Sequence, residues 1–316
     1  LADIVGMTNT DVVAAYPITP QTHIVEHLAE LVAEGELDAE YIPVESEHSA
    51  MSACMGSAAA GARTFTATAG QGLELMHECL YVASAMRLPI VMANVNRALS
   101  APINIHCDHS DSMGTRDSGW IQLYSENAQE AYDNMLQAVR IAEHRDVRLP
   151  IMVNLDGFIV SHGAEVLELI DDAKARDFIG DYEPTFSLLD VENPVTIGPF
   201  DGLQGYYFEH KKAQVDAMEN ALRVISEVAG EFATLSGRTN GFFEEYRLAD
   251  AEVALIVLNS AAGTCKIVVD ELREQGLRVG LLKLRVFRPF PSIEISNAIR
   301  NLKAVGVLDR AVSPGL

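Results

Sequence analysis

The chain has 316 residues, 48% apolar and 22% charged, a composition that excludes disorder and provides for one large or two ordinary α/β domains. Its formal net charge of -22 argues against a nucleic-acid surface, because a negative field repels phosphate, and favours a soluble complex or a partner with basic patches. No apolar run nears the ~20 residues needed to span a bilayer, and Cys54, Cys79, Cys107 and Cys265 are too scattered for a disulfide framework, a zinc site or an iron-sulfur cluster; a cytoplasmic location is expected.

From Asp11 to about Gly163, apolar runs alternate with amphipathic segments, the pattern of a parallel sheet flanked by helices. A strand is expected at 12–16, running into Tyr16-Pro17-Ile18-Thr19-Pro20. The Pro-bracketed Thr19 offers a small hydroxyl and free backbone at a strand's carboxyl end, where open α/β sheets bind ligands. A helix at 22–33, a strand at 40–44 and a helix at 47–60 follow. The last is dense in small residues, which permits close approach to a cofactor and serves tight helix–sheet packing equally well. Glu47, at its start, can exchange a proton with a bound heterocycle if buried, or simply favour the helix dipole.

Next come a strand at 64–67, a helix at 73–86 and a strand at 89–95. Arg97, just past that strand, can grip a carboxylate bidentately or form a structural salt bridge. The long loop beyond it holds Asp108-His109-Ser110-Asp111-Ser112, which can do acid-base work or close on itself as Asx-turns. His106 and Cys107 make no recognised ligand spacing with His109, so no metal is expected there. A helix at 127–144 and a strand at 149–154 complete a doubly wound domain.

Between about 164 and 248 the periodicity weakens, apart from one strong helix at 211–232; this reads as an extension that wraps the first domain or reaches a partner. A strand at 253–258, a helix at 262–275 and strands at 278–284 and 304–308 follow. The turn Asn259 to Thr264 can bind an anion at a helix N-terminus or act as an ordinary N-cap. The sequence has no G-x-x-x-x-G-K-[ST], G-x-G-x-x-G or G-x-S-x-G motif, so no complete cofactor site is expected on this chain alone. Starting without Met and stopping just after a strand, it reads as part of a longer subunit.

Eight motifs occur in order along nearly the whole chain: Tyr16-Pro17-Ile18-Thr19-Pro20, Val44-Glu45-Ser46-Glu47-His48-Ser49-Ala50, Gly61 to Thr68, Gln71-Gly72-Leu73, Asn96-Arg97-Ala98-Leu99-Ser100, Asp108-His109-Ser110-Asp111, Leu155-Asp156-Gly157-Phe158, and Leu284 to Pro291. Together they resemble the alpha subunit of the 2-oxoacid:ferredoxin oxidoreductases of the pyruvate:ferredoxin type. The resemblance implies an α/β fold: a thiamine-diphosphate-binding doubly wound parallel sheet, the pyrimidine-type domain, at 1–165, an extension with a long helix at 166–248, and a smaller transketolase C-terminal-like domain at 249–316.

It further implies thiamine diphosphate shared with a beta subunit that supplies the diphosphate and Mg2+ site and an iron-sulfur cluster. Gamma and ferredoxin-like delta subunits, coenzyme A as co-substrate, and ferredoxin or another electron acceptor complete the implied system. Glu47, Thr19 and Arg97 match the catalytic positions: Glu47 the glutamate that hydrogen-bonds the cofactor's aminopyrimidine ring, Thr19 and Arg97 the groups that hold the substrate carboxylate and oxo group. Tyr16, Pro17, Ile18 and Gln71 are the accompanying cofactor contacts, and Asp108 and His109 further substrate contacts. The implied reaction is oxidative decarboxylation of a 2-oxo acid, pyruvate by default, with an aromatic or branched-chain acid such as phenylglyoxylate as the alternative. Departures from the family pattern at Gln21-Thr22, Ala69-Gly70 and His106-Cys107 bear on the acyl group. A non-catalytic scaffold and a free-standing enzyme are the competing classes.

Overall fold

In the computed structural model, residues 1–312 are described; the last four residues of the expected C-terminal domain lie outside them. The first part of the chain runs α1 (Ala2–Met7), β1 (Val12–Ala15), α2 (Thr22–Glu34), β2 (Glu40–Pro43), α3 (Glu47–Ala59), β3 (Thr64–Thr68), α4 (Gln71–Leu75), α5 (His77–Ala85), β4 (Val91–Asn96), α6 (Ser110–Gly114), β5 (Ile121–Ser125), α7 (Ala128–Glu143) and β6 (Ile151–Asp156). It continues with α8 (Asp172–Ile179), α9 (Tyr207–Ser236), β7 (Phe243–Tyr246), β8 (Val253–Leu258), α10 (Ala261–Glu274), β9 (Val279–Leu284), β10 (Val286–Arg288), α11 (Ser292–Ile299) and β11 (Ala304–Leu308).

Six parallel strands in the order β5-β6-β4-β3-β1-β2 form the first sheet, and β10 adds antiparallel to the β5 edge. Successive side chains on a strand point to opposite faces. Val13, Ala15, Val91, Ala93, Ile151 and Val153 therefore enter one core with α1, α2, α7 and α9, while Ala14, Met92 and Met152 enter the other with α3 and α5. Burial on both faces is why these strands read as nearly continuous apolar runs. From β1 the chain crosses to β2 on one side and then to β3 on the other. The switch point, where ligands bind in such sheets, lies between the carboxyl ends of β1 and β3.

The expected α/β class, with its doubly wound parallel sheet and smaller second α/β sheet, is the one observed. The second sheet has the order β11-β8-β9-β7, with β7 antiparallel. Three local differences from the sequence reading have physical causes. The expected helix at 73–86 is two helices broken at Met76, because α4 turns toward Glu47 while α5 packs Cys79, Leu80 and Ala83 into the core. Strand β5 was not expected: its buried Gln122 disguises it, held by Nε2 donating to the Ser112 carbonyl at 3.0 Å. Strand β10 has three residues and is held by pairing with Leu123 and Gln122, more than 160 positions away.

Helix α9 buries Ala217, Ala221, Val224, Ile225, Val228 and Phe232 in the same core as the first sheet. The irregular run before it crosses to the other face, where Phe186 and Ile197 pack on the α3–α5 core and the Leu188 N–H donates to the Ala59 carbonyl at 2.9 Å. No helix among the described residues is long and apolar enough to cross a membrane.

The two sheets are clamped by charge. Lys283 is 4% exposed; its ammonium contacts Glu126 (2.9 Å), Glu130 and Glu244 (2.8 Å), and Lys266 reaches Glu126 (2.8 Å) and Glu244 (2.9 Å). These three carboxylates approach closely enough to share a cation, and the cations present are the two lysines. Next to them the buried Arg285 donates to Asn134 (2.6 Å), Gln137 (3.0 Å) and the carbonyls of Asn240 and Gly241. Phe232, fully buried and edge-on to Phe178 at 5.5 Å, gives a test of how firmly α9 belongs to the first core. Phe232→Ala is expected to cost about 3–5 kcal/mol in chemical denaturation, whereas a detachable arm would lose almost nothing.

Candidate active site at the switch point

The site is built where β1, β2, β3 and β4 end. After β1, the turn Tyr16 to Pro20 stands outward, with Tyr16, Pro17 and Thr19 exposed. It is braced from inside by the fully buried Gln21, whose Nε2 donates to the Tyr16 carbonyl at 2.8 Å and whose N–H donates to the Ile18 carbonyl at 2.9 Å. Ile18 packs on Ala69, Val95, Leu155 and Val160.

After β2, Ser46 caps α3 by accepting the Ser49 N–H at 3.2 Å, which sets Glu47 in the first turn. Glu47 is only 5% exposed, yet its carboxylate accepts no hydrogen bond from the described residues. It lies against Gly72: a Cβ on Gly72 would meet Glu47 Oε1 at 2.6 Å and Thr68 Oγ1 at 2.5 Å. Buried carboxylates ordinarily find partners. A carboxylate and the unpartnered, buried Thr68 hydroxyl facing a glycine cradle form the kind of surface that takes a ligand with hydrogen-bonding edges.

After β4, Arg97 is 7% exposed, and burial pulls its guanidinium below the ordinary value against the opposing charges of Asp111 and Glu47. Its Nη1 donates to the Thr19 carbonyl at 2.6 Å and its Nη2 to Gln71 Oε1 at 2.9 Å, while Nε has no partner among the described residues. Both acceptors are neutral, and Arg97 forms no ion pair with any of the described residues. The salt-bridge alternative for Arg97 therefore does not describe this structure. A buried cation held only by neutral acceptors suits an incoming carboxylate.

Glu47, Thr19, Gln71 and Arg97 thus converge from four loops. Asp108 and His109, expected beside them, are engaged elsewhere. Asp108 Oδ1 accepts the Ser110 N–H at 2.7 Å, an Asx-turn. His109 is 1% exposed in the seam between the sheets, its Nε2 2.8 Å from Asp156 Oδ1. Two residues that the sequence reading did not assign to the site organise the interior. Asp156, at the end of β6, is fully buried and gathers Asn259 Nδ2 (3.0 Å), the Ser260 N–H (3.2 Å), the Ser260 hydroxyl and Arg310 Nη1 (2.9 Å). The turn at 259–264 does bind an anion, and that anion is the carboxylate of Asp156. Asp111, also fully buried, binds backbone of the loops that carry Arg97 and Gly70. The signal for Asp156 was its place within a motif, and for Asp111 its place in the polar cluster around His109.

Fold and site define a two-sheet α/β subunit with a buried carboxylate and a buried guanidinium at the open face of a switch point. A family model described as pyruvate flavodoxin/ferredoxin oxidoreductase, thiamine diphosphate-binding, matches residues 5–230, and one described as pyruvate:ferredoxin oxidoreductase core domain II matches 251–316. The chain is 58% identical over 315 residues to the pyruvate synthase subunit PorA of Thermotoga maritima, covering 100% of this chain and 80% of that protein. It is 54% identical to the PorA subunit of Methanocaldococcus jannaschii (99% and 81% covered) and 47% identical to the ketoisovalerate oxidoreductase subunit VorA of Pyrococcus horikoshii (96% and 77%). A solved 2-oxoglutarate:ferredoxin oxidoreductase from Magnetococcus marinus shares the fold, with a TM-score of 0.72 at 20% identity over 97% of this chain and 56% of that one. The chain belongs to the pyruvate:ferredoxin oxidoreductase family, as an alpha-type subunit bearing its thiamine diphosphate-binding region.

The seam at His109 has a defined pH response. Burial pulls its pKa down, but the hydrogen bond to Asp156 and the nearby carboxylates of Asp309 and Asp111 outweigh this and raise it from 6.5 to about 9. Its stabilising contribution is therefore complete below about pH 6.5 and is lost as pH rises through about 9. The Tm is expected to fall over that interval, and His109→Gln is expected to flatten the fall.

Proposed function

We propose that this chain contributes the pyrimidine-side half of a shared thiamine diphosphate site in an enzyme that oxidatively decarboxylates a 2-oxo acid, with pyruvate as the default substrate. The overall reaction consumes the 2-oxo acid, coenzyme A and two oxidised one-electron acceptors, and releases acyl-CoA, CO2, a proton and two reduced acceptors. The observation that carries this reading is Glu47: a residue 5% exposed, its carboxylate without a hydrogen-bond partner among the described residues, facing the cradle at Gly72. Glu47, with Tyr16, Pro17, Ile18 and Gln71 around it, would hold the cofactor's aminopyrimidine end. When bound, the cofactor supplies a nucleophilic carbon and an electron sink for loss of CO2.

On this reading Glu47 holds and returns a proton at the ring nitrogen. Arg97 neutralises and orients the substrate carboxylate, and Thr19, at the exposed tip of its turn, presents its hydroxyl toward the oxo group. Exposed apolar Leu75 and Tyr81, on the helices after Gly72, offer a surface for a covering beta subunit. That subunit would carry the diphosphate and Mg2+ site and an iron-sulfur cluster, with gamma and delta subunits and ferredoxin completing the electron path. Four free cysteines agree with a cytoplasmic setting.

Two relatives at 58% and 54% identity carry the name pyruvate synthase, which supports pyruvate; the ketoisovalerate relative at 47% keeps a branched acid as the second reading. In the assembled complex, turnover of 2-oxoisovalerate or phenylglyoxylate without turnover of pyruvate, read by viologen reduction, would overturn the default. Glu47→Gln, nearly isosteric, is expected to lower kcat about 10²–10⁴-fold in an intact complex. Unchanged turnover would make this subunit a scaffold.

A further inference from the structure

We propose that Asp111 is a positioning residue that fixes Arg97 by binding, through one carboxylate oxygen, both the backbone from which the Arg97 side chain springs and the turn on which it lies. This rests on the reading that Arg97 holds the substrate carboxylate. Asp111 Oδ2 accepts the Arg97 N–H at 3.1 Å and the Gly70 N–H at 3.1 Å. Its Oδ1 accepts Asn96 Nδ2 at 2.9 Å and the Ser112 N–H at 2.7 Å. The four donors account for the acceptor capacity of a carboxylate. Asp111 is fully buried and forms no ion pair among the described residues, so its direct partners are these four dipoles, with the Arg97 guanidinium near enough to act on its charge.

Gly70 supplies the floor. It sits at φ +48°, in the left-handed region, and a Cβ there would meet Arg97 Cγ at 2.6 Å. The Arg97 side chain therefore lies directly on the Gly70 backbone. With the root and the floor tied to the same oxygen, the guanidinium can approach Thr19 and Gln71 only along the observed line. An amide at position 111 cannot reproduce this, because it replaces two acceptor positions with two N–H donors. Whichever way it turns, N–H meets N–H, either at Gly70 and Arg97 or at Asn96 and Ser112.

The test is a double-mutant cycle in the assembled holoenzyme with pyruvate as substrate. Asp111→Asn is expected to raise KM about 10–100-fold with kcat reduced far less, since a small displacement of a binding group has effects of that order, while the apparent Kd for thiamine diphosphate stays near wild type. Arg97→Lys is expected to raise KM as well. If Asp111 acts through Arg97, the double variant will be no worse than Arg97→Lys alone. An additive double variant, or a wild-type KM in Asp111→Asn beside a raised KM in Arg97→Lys, overturns the positioning role and leaves the reading of Arg97 standing. An unchanged KM in Arg97→Lys overturns that reading and the inference with it. Where Asp111→Asn does not assemble, Asn96→Ser, which takes one donor from the same carboxylate, is expected to raise KM severalfold, and an unchanged KM there overturns the proposal.

Discussion

The site depends on keeping two opposite charges buried near one another without letting them pair. Arg97 feels the negative charge of Glu47, yet its guanidinium is spent on a carbonyl and an amide oxygen, and Glu47 accepts no hydrogen bond from the described residues. Direct pairing would lower the energy of each group and silence both. Separation is maintained by backbone: two glycines bring the β3–α4 turn up against both side chains, and Asp111 anchors that turn to the end of β4.

The second sheet takes part in this arrangement. Asn259 reaches the Asn96 side chain at 3.4 Å, and Asn96 in turn donates to Asp111. Asp156 collects four donors from the second unit, and β10 closes the edge of the first sheet. The conspicuous run from Leu284 to Pro291 is accounted for by this seam. Its Arg285 is buried among neutral acceptors with Glu130 and Asp133 near enough to oppose, in part, the lowering caused by burial.

Much of the first sheet was legible because its information is local. Apolar runs, the Pro-bracketed turn and the cap before Glu47 each lie within a few residues, and the charged residues at strand ends mark the crevice. Strand β5 was hidden because a buried glutamine looks polar until its acceptor, ten residues back, is in view. His109 was read as a substrate contact because nothing nearby shows that its acceptor stands 47 residues on, at Asp156.

By itself the sequence determined the α/β class, the family, the turn that carries Thr19, and the helix start that carries Glu47, because each rests on short-range pattern. Only the tertiary structure decided that Arg97 is unpaired, that Asp108 and His109 serve the loop and the seam, and that Asp111 and Asp156 hold the interior together. The physical reason is that a buried charge takes its meaning from its partners. Here those partners lie 41 residues away for Asp111 at Gly70 and 103 away for Asp156 at Asn259, distances that only folding closes.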